Sequence, residues 1–303
     1  MEMECLWSCG VLRYFLAAAR EESISGAANY LHLSQPTLSR QLMELEEELG
    51  KKLFVRGSRK VTLTEEGRLL RKRADEILAL VEKTQAELHS EDHMISGDIY
   101  IGGGETEAMR LLARTARKLR SRCPGVRYHL YSGNGDAVSE RLDKGLLDFG
   151  VVIEPFDRRK YDFLRLPHTD RGGVLMRRDS PLADREQIYP EDLRDQPILH
   201  SGQSRIWESL LEWFGCDVNQ LNIVGTYNLV YNESLMVEEG LVYALCLDGL
   251  INTTGDSPLC FRPLAHQKTA ELDLVWKKYQ VFSKTAERFL ELLREEIAKE
   301  NGK

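Results

Sequence analysis

The chain has 303 residues, 42% of them hydrophobic, and this length suggests two or three folding units with real cores. No apolar run approaches the length of a membrane span, and Met1–Gly10 contains neither a basic cluster nor an apolar signal core, so a cytoplasmic location is expected. A net charge of −7 argues against a protein that coats nucleic acid over its whole surface.

Three helices are predicted before residue 51. The first is Val11–Glu22 and the second is Ser25–Leu31, with Ser25 as its cap, and a brief turn follows. The third begins at Ser34, whose hydroxyl suits an N-cap, and ends at Gly50, a residue that commonly terminates helices. Its leucines recur every three or four residues and predict one apolar stripe facing a core: Leu38, Leu42, Leu45 and Leu49.

The opposite face of the third helix carries hydrogen-bonding side chains in its first two turns. They include one cation and no carboxylate: Gln35, Thr37, Ser39, Arg40 and Gln41. The acids follow only in the second half of the helix: Glu44, Glu46, Glu47 and Glu48. A helix that enters the major groove needs this layout, because polar side chains meet base edges and negative charge stays away from phosphates. For the helix alone, an ordinary amphipathic helix with a solvated face is the alternative. A short helix, a tight turn and a capped second helix favour a helix-turn-helix.

A basic segment follows, from Lys51 to Arg73, in which nine cations stand against two acids and give a local charge of +7. This pattern is typical of a localised phosphate contact, and a solvated charge run is the alternative. Two short strands joined by a turn at Gly57–Arg59 predict a hairpin, or wing, that ends at Leu63. From it, Arg56, Arg59 and Lys60 are expected to reach the sugar-phosphate backbone or the minor groove.

A long helix is predicted from the cap Thr64 to about Ser90. Its apolar residues are spaced four, three, four, three and four: Leu70, Ala74, Ile77, Val81, Thr84 and Leu88. This heptad seam favours a two-stranded coiled coil in which Leu70, Ile77, Val81 and Leu88 make the dimer contacts. The alternative is a helix packed on its own domain. A dimer would place two recognition helices on successive turns of DNA.

The pattern changes after a hinge at Glu91–Ser96. Strands and helices alternate from here, which predicts parallel sheets flanked by helices. The first lobe is expected to contain the strands Asp98–Gly103, Val126–Tyr131 and Phe149–Ile153, the helices Thr106–Arg122 and Ala137–Lys144, a returning strand Leu272–Val281 and a closing helix Ser283–Lys299. A second lobe is expected to contain strands near Gly173, Ile198, Ile223–Gly225, Tyr243–Leu247 and Cys260–Pro263.

Two lobes of this kind predict a cleft, because ligands bind where loops and helix N-termini meet at the carboxyl ends of strands. Eight residues follow such strands: Gly104, Thr106, Ser132, Asn134, Glu154, Ser201, Gln203 and Asn228. For any one of them a structural role is the alternative. The stretch Gly102–Gly104 lacks the spacing of a dinucleotide or triphosphate loop, and it suits an anion or a polar ligand instead.

Catalytic and metal-binding patterns are absent from the sequence. It contains no G-x-S-x-G and no H-E-x-x-H motif, and its seven histidines form no ligand cluster, so no enzyme activity, metal or cofactor is expected. The six cysteines lack a metal-ligand rhythm: Cys5, Cys9, Cys123, Cys216, Cys246 and Cys260. They favour buried or free thiols in a reducing compartment, with metal or redox sensing as the alternative.

The order of short motifs resembles that of the LysR-type transcriptional regulators over nearly the whole chain. The motifs are L-R-Y-F-L at Leu12–Leu16, A-A at Ala27–Ala28, L-S-Q-P-T-L-S-R-Q-L at Leu33–Leu42, L-E-x-E-L-G at Leu45–Gly50, L-F-V-R at Leu53–Arg56 and L-T-E-E-G at Leu63–Gly67. Weaker similarities follow at Pro124–Val126, Leu142–Gly150, Asp179–Ala183 and Glu238–Leu241.

The resemblance implies a multi-domain α+β chain: a winged helix-turn-helix (1–63), a dimerising linker helix (64–90), a hinge (91–96) and a two-lobed α/β effector domain like a periplasmic binding protein (97–303). Lobe I is expected at about 97–164 and 266–303, and lobe II at about 165–265. By motif position, Gln35, Pro36 and Ser39 would face bases, and Ser34, Thr37, Arg40 and Arg56 would hold phosphates. The family often has a small hydroxyl residue after the first effector strand, where this chain has Gly104, with Glu105 and Thr106 next to it.

The function expected from the residues and the resemblance together is a transcriptional regulator that binds promoter DNA and responds to a small-molecule inducer. It is expected to form homodimers that pair into a tetramer, and to meet RNA polymerase at the promoter. Two rival classes remain: a solute-binding module whose N-terminal part serves only assembly, and an enzyme built on the two lobes. The basic segment argues against the first, and the lack of a catalytic set against the second.

Overall fold

The computed structural model describes residues 8–57, 60–88, 95–266 and 269–301. The chain divides into two compact units, Met1–Leu88 and His89–Lys303. In the described residues, no helix is both long enough and apolar enough to cross a membrane.

The N-terminal unit is a three-helix core followed by a hairpin and a long helix. Its elements are α1 (Cys9–Glu21), α2 (Ile24–Tyr30), α3 (Gln35–Leu49), β1 (Phe54–Arg56), β2 (Val61–Leu63) and α4 (Glu65–Leu88). The predicted apolar stripe of α3 does face the core: Leu38, Leu42 and Leu45 are almost fully buried against Leu12 and Phe15 of α1. The strands pair antiparallel and form the predicted wing.

The start of α2 differs from the prediction. The helix begins at Ile24, and Ser23 rather than Ser25 is its cap: the Ser23 hydroxyl accepts a hydrogen bond from the backbone N–H of Gly26 at 3.1 Å. Ser23 has an extended backbone, which an N-cap requires, whereas Ser25 lies inside the helix. Both serines match the sequence pattern, and the backbone conformation distinguishes them.

Two of the six residues of the predicted heptad seam of α4 pack inside their own unit. Ala74 is fully buried in the core of the unit, and Leu70 packs against that core. Leu70 is therefore engaged within the chain, as the alternative for this helix expected. The exposed apolar stripe of α4 is instead Leu69, Ile77, Leu80 and Leu88, whose side chains are 60%, 37%, 42% and 79% exposed.

The C-terminal unit contains two five-stranded sheets. Its elements are β3 (Gly97–Gly103), α5 (Met109–Arg122), β4 (Val126–Ser132), α6 (Gly135–Asp143), β5 (Phe149–Ile153), β6 (Tyr161–Asp170), β7 (Gly172–Arg177), α7 (Pro190–Leu193), β8 (Ile198–Ser201), α8 (Ser204–Phe214), β9 (Ile223–Tyr227), α9 (Val230–Glu238), β10 (Tyr243–Leu247), β11 (Leu259–Pro263), β12 (Ala270–Lys277) and α10 (Lys284–Asn301).

The first sheet has the order β4-β3-β5-β12-β6 and the second β11-β7-β10-β8-β9. Both are mixed, which corrects the expectation of parallel sheets. In the first, β12 runs antiparallel to β5 and β6, and in the second, β7 runs antiparallel to β10 and β11. The first sheet is mixed because β12 returns from the second lobe and enters this sheet from the opposite direction.

The boundary of the first lobe also lies later than predicted. Strand β6, which the sequence analysis did not predict, pairs with β12 from Tyr161 as far as Asp170, so the first lobe extends past the expected limit at residue 164. The helices α7, α8 and α9 of the second lobe were likewise not predicted. The core of the first lobe lies between β3, β5, β12 and the helices α5 and α10.

Candidate DNA-binding surface and effector cleft

The N-terminal end of α3 is exposed and capped by its own residues. The Ser34 hydroxyl accepts a hydrogen bond from the backbone N–H of Thr37 at 3.3 Å and lies 2.7 Å from the Thr37 hydroxyl. The hydroxyls of Ser34 and Thr37, both predicted to bind phosphate, therefore contact each other, and the N-terminal end of the helix stays exposed. Gln35, Pro36 and Thr37 are all exposed.

The three predicted base-reading residues lie on one side of α3. Gln35 and Ser39 are four positions apart, and Pro36 is adjacent to Gln35, so their side chains project from neighbouring turns of the same face. Ser39 is half-buried, and Arg40, next to it, is exposed. No ion pair or hydrogen bond of the Arg40 side chain is found within the described residues, which leaves its guanidinium available for a phosphate.

The wing residues have different surroundings. The Lys60 ammonium lies 2.6 Å from a carboxylate oxygen of Glu22, at the end of α1, so this predicted phosphate contact is already paired with an acid. Arg56 ends strand β1. Arg59 lies outside the described residues. A phosphate at the wing would compete with Glu22 for Lys60.

A buried carboxylate joins α3 to the wing. Glu46 is 3% exposed, and one oxygen accepts hydrogen bonds from the backbone N–H groups of Leu53 at 2.8 Å and Phe54 at 3.1 Å, while the other lies 3.0 Å from the Lys52 ammonium. Burial alone raises the pKa of Glu46, but these three donors outweigh it and hold the pKa below its usual value. The sequence analysis placed Glu46 among the acids of the second half of α3 and did not predict its burial.

The predicted cap of α4 is confirmed. The Thr64 hydroxyl accepts a hydrogen bond from the Gly67 N–H at 2.9 Å and donates one to the carbonyl of Lys52 at 2.7 Å. Gly67 packs so closely on the loop before β1 that an added Cβ atom would lie 2.2 Å from the carbonyl oxygen of Leu53. The glycine of the L-T-E-E-G motif is therefore required by the close approach of two backbone segments.

A cavity of about 950 Å³ lies between the two lobes of the C-terminal unit. Its wall includes six of the eight predicted effector residues: Gly104, Asn134, Glu154, Ser201, Gln203 and Asn228. The remaining wall is largely apolar and includes Trp213, Tyr227, Val230 and Leu264. Its volume suits a small organic molecule with an apolar body.

The other two predicted residues, Thr106 and Ser132, line a separate cavity of about 280 Å³. The Thr106 hydroxyl donates a hydrogen bond to Asp170 at 2.6 Å and accepts one from the Ala108 N–H at 3.1 Å, and the side chain is buried. Thr106 is thus committed to internal hydrogen bonds. Burial raises the pKa of its partner Asp170.

Among the described residues, two hydrogen bonds cross the cleft, and each ends at the first residue of a helix. The Glu105 carboxylate of the first lobe accepts a hydrogen bond from the Val230 N–H, which begins α9 of the second lobe. In the opposite direction, the Gln203 amide oxygen accepts one from the Gly135 N–H, which begins α6 of the first lobe, at 3.1 Å. Asn134 caps α6 as well, through the Ala137 N–H at 3.0 Å.

A network of acids and arginines lies behind the first-lobe wall of the cleft, to which its members Glu154 and Glu271 belong. Arg158 pairs with Glu154 at 2.6 Å and with the buried Asp273 at 2.9 Å, and Arg165 pairs with Asp273 at 2.6 Å and with Glu271. Burial raises the pKa of Asp273, and its hydrogen bond to Glu154 raises it further. Glu154, a predicted ligand contact, is thus largely used within the protein.

A second buried carboxyl group lies beneath the cleft. Glu233 is 2% exposed, and neither of its oxygens has a hydrogen-bond partner among the described residues. Burial raises its pKa to about 9, with the charge of Glu105 as the second cause, so the group is neutral at pH 7. Neither Glu105 nor Glu233 was predicted, because their neighbours lie far away in the sequence.

The described residues hold no group of three or more His, Cys, Asp or Glu side chains arranged to bind a metal ion. Of the described cysteines, Cys246 is buried, and burial raises the pKa of its thiol well above the usual value. A thiol in that state is a poor nucleophile. Cys5 lies outside the described residues.

Family models match both units. The model described as LysR substrate binding domain matches residues 93–298, and that described as Bacterial regulatory helix-turn-helix protein, lysR family, matches residues 10–68. The chain belongs to the LysR family of transcriptional regulators. A LysR regulator binds DNA and is not an enzyme, so both expectations are confirmed.

Relatives of this LysR-family chain are regulators too. It is 30% identical to a probable RuBisCO transcriptional regulator of Porphyra purpurea over 76% of this chain and 74% of that protein. It is 29% identical to the Hca operon transcriptional activator HcaR of Escherichia coli (strain K12), over 95% and 97%. It is 32% identical to the dual regulator OxyR of the same organism, over 62% and 61%.

Solved structures share the fold of this regulator. Full-length CbnR in complex with its target DNA matches with a TM-score of 0.74 at 17% identity, over 96% of this chain and 100% of that one. A full-length variant of OxyR from Pseudomonas aeruginosa matches with a TM-score of 0.55 at 22% identity, over 96% and 99%. These likenesses confirm the predicted class: an N-terminal helix-turn-helix and a two-sheet α/β effector domain.

Proposed function

We propose that this regulator binds promoter DNA as a homodimer, that two dimers form a tetramer, and that a small molecule in the cleft controls their arrangement. The exposed N-terminal end of α3 carries the DNA-binding part of this proposal. Gln35, Pro36 and Ser39 read base edges, while Ser34, Thr37, Arg40 and Arg56 hold phosphates on either side. Lys60 and Arg59 add wing contacts, with Lys60 released from Glu22 when a phosphate replaces the carboxylate.

The dimer contact is assigned to the exposed stripe of α4. Leu69, Ile77, Leu80 and Leu88 recur at spacings of eight, three and eight, which places them along one side of the helix. A second copy of α4 is the occupant, because a self-complementary stripe favours a two-fold pair. Val81 borders this stripe, and Leu70 supports the helix from its inner side.

Effector control follows from the position of the cleft between two lobes. A ligand that contacts both lobes favours the arrangement in which its affinity is higher, and this difference is the energy available to reposition the DNA-binding units. We propose that the change is passed to RNA polymerase at the promoter. The regulator then acts in the cytoplasm, where bacterial promoters are found.

The test is selection of binding sites from a randomised duplex library with the full-length chain. The expected outcome is a pseudo-palindrome with half-sites one helical turn apart, bound with an affinity that falls steeply with salt. Each phosphate contact contributes a log–log slope of roughly −0.9. Failure to enrich any sequence, together with an affinity that salt leaves unchanged, would contradict the proposed function.

A further inference from the structure

Two helix N-termini at the cleft, those of α6 and α9, already hold oxygen atoms of the opposite lobe. The Glu105 carboxylate occupies the start of α9, at the Val230 N–H, and the Gln203 amide oxygen occupies the start of α6, at the Gly135 N–H. A helix N-terminus is where proteins readily bind carboxylates and phosphates, because its N–H groups lack partners and its dipole attracts negative charge. At either of these two helix starts, an anionic ligand would have to displace the acceptor first.

The charged side chains of the cleft wall are acidic. Four carboxylates belong to it: Glu105, Glu154, Glu212 and Glu271. Arginines pair with Glu154 and Glu271, whereas Glu105 and Glu212 have no cation within 4.0 Å among the described residues. No Lys or Arg occurs among the described residues of the wall. The cleft therefore attracts positive charge and repels negative charge.

Glu233 adds a carboxyl group without a partner among the described residues. The charge of Glu105 acts on Glu233, and the charge of Glu233 acts in turn on Tyr227 and Cys246; all three partners belong to the cleft wall, so the Glu233 carboxyl lies close to that wall. An unpaired buried carboxyl is costly, and such groups in native proteins call for a specific reason. A donor that enters beside Glu105 supplies one.

We propose that the cleft binds an organic cation, an amine or a guanidine with an apolar body, and that Glu105 is its counter-charge. The proposal rests on the proposed function, because it takes the cleft as the effector site. Trp213 and Tyr227 provide aromatic surface for the apolar body and for cation–π contact. A cation held beside Glu233 favours the ionised form of that carboxyl, so binding releases protons.

The test is isothermal titration calorimetry of the full-length chain with pairs of probes that are similar in shape and opposite in charge. The pairs are 2-phenylethylamine and phenylacetate, tryptamine and indole-3-acetate, and phenylguanidine and benzoate. At least one cation is expected to bind about tenfold or more tightly than its anionic counterpart. Glu105→Gln keeps an oxygen for the Val230 N–H but loses the charge, and should abolish the preference. Glu186→Gln, an exposed glutamate of the second lobe away from the cleft, is the matched control and should keep it.

Proton release gives a second readout. Titrations in two buffers of different ionisation enthalpy should reveal released protons in the wild type and fewer in Glu233→Gln. Tighter binding of the carboxylates, no measurable binding of any cation, or an unchanged preference in Glu105→Gln would each overturn the proposal. DNA binding by the wild type is measured in parallel. If the wild type binds DNA and one of these results is obtained, the cation site alone is refuted. If the wild type does not bind DNA, the proposed function is refuted.

Discussion

Helix starts are capped in two different ways in the two units of this regulator. In the DNA-binding unit the cap is local: Ser34 is three positions from the Thr37 N–H that it accepts. In the effector unit the cleft-facing helices also receive acceptors from the opposite lobe: Gln203 over 68 positions for α6, beside its local cap Asn134, and Glu105 over 125 positions for α9. A local cap leaves the end of the helix open, whereas a cap from the opposite lobe occupies it.

This difference matches what each helix end must do. In the proposed function the start of α3 has to remain exposed so that Gln35 and Arg40 can reach DNA, and a cap built from Ser34 and Thr37 permits this. The starts of α6 and α9 instead tie the two lobes together across the cleft. A ligand that alters those two contacts changes the relation of the lobes directly, which gives effector binding a physical route to a conformational change.

The largest expected effect comes from the close packing of Gly67 in α4 against the loop before β1. In Gly67→Ala the new Cβ atom would lie 2.2 Å from the Leu53 carbonyl oxygen, so the loop before β1 and α4 must separate. We expect the free energy of unfolding of the N-terminal unit to fall by about 3 kcal/mol. Urea unfolding followed by circular dichroism measures it.

Gly50→Ala is the matched control for that substitution. Gly50 has a left-handed φ of 61°, but open space surrounds the position of its Cβ atom. Only the backbone strain remains, at about 1–2 kcal/mol. Equal losses in the two variants would show that the close approach at Gly67 is not rigid.

The buried carboxylate of Glu46 should produce the next largest effect. Glu46→Gln keeps the shape but loses charge-assisted bonds to two backbone N–H groups, and we expect about 1.5–3 kcal/mol less stability at pH 7. The pKa of Glu46 in the folded state lies below the usual 4.5. The contribution of Glu46 to stability is therefore complete above pH 4.5 and disappears as the pH falls through the pKa of the folded state.

Urea unfolding at a series of pH values from about 7 to about 3 measures the contribution of Glu46. The wild type should lose more stability than Glu46→Gln over the acid range, so the two curves converge. The exposed neighbour Glu47, changed to Gln, should stay close to the wild type throughout. Parallel curves for wild type and Glu46→Gln would refute the assigned role.

The same distinction between local and distant contacts explains how well the sequence predicted the structure. The limits of α3, the cap of α4 and the wing depend on residues a few positions apart, and they were predicted closely. The cap of α2 was misplaced by two residues because two serines matched the pattern. Strand β6, Glu105 and Glu233 were missed, since their partners are set by the path of the chain between lobes. The role of Glu46 as an acceptor was not predicted, because it depends on the loop after α3.

DNA binding provides the third test, because a locally capped helix should tolerate loss of a base-reading side chain. Gln35→Ala should leave folding unchanged and cost about 1–3 kcal/mol, mainly on the selected binding site. Arg40→Ala should instead weaken binding to all sequences alike and reduce the salt slope by about 0.9. Fluorescence anisotropy with selected and random duplexes separates the two. Equal losses on both duplexes for Gln35→Ala would remove it from the base-reading set.

The smallest effects test the comparison of caps itself. Ser34→Ala and Gln203→Leu each remove a neutral acceptor from a helix start and should cost about 1 kcal/mol. The consequences should differ in place: Ser34→Ala frays the start of α3, visible as faster amide hydrogen exchange there, while Gln203→Leu loosens the two lobes, visible as a larger radius of gyration in X-ray scattering. Faster exchange at the start of α6 with no change in the radius would show that Gln203 acts as an ordinary cap. Of the two hydrogen bonds across the cleft, only that of Glu105 would then tie the lobes together, and the start of α6 would resemble that of α3 rather than that of α9.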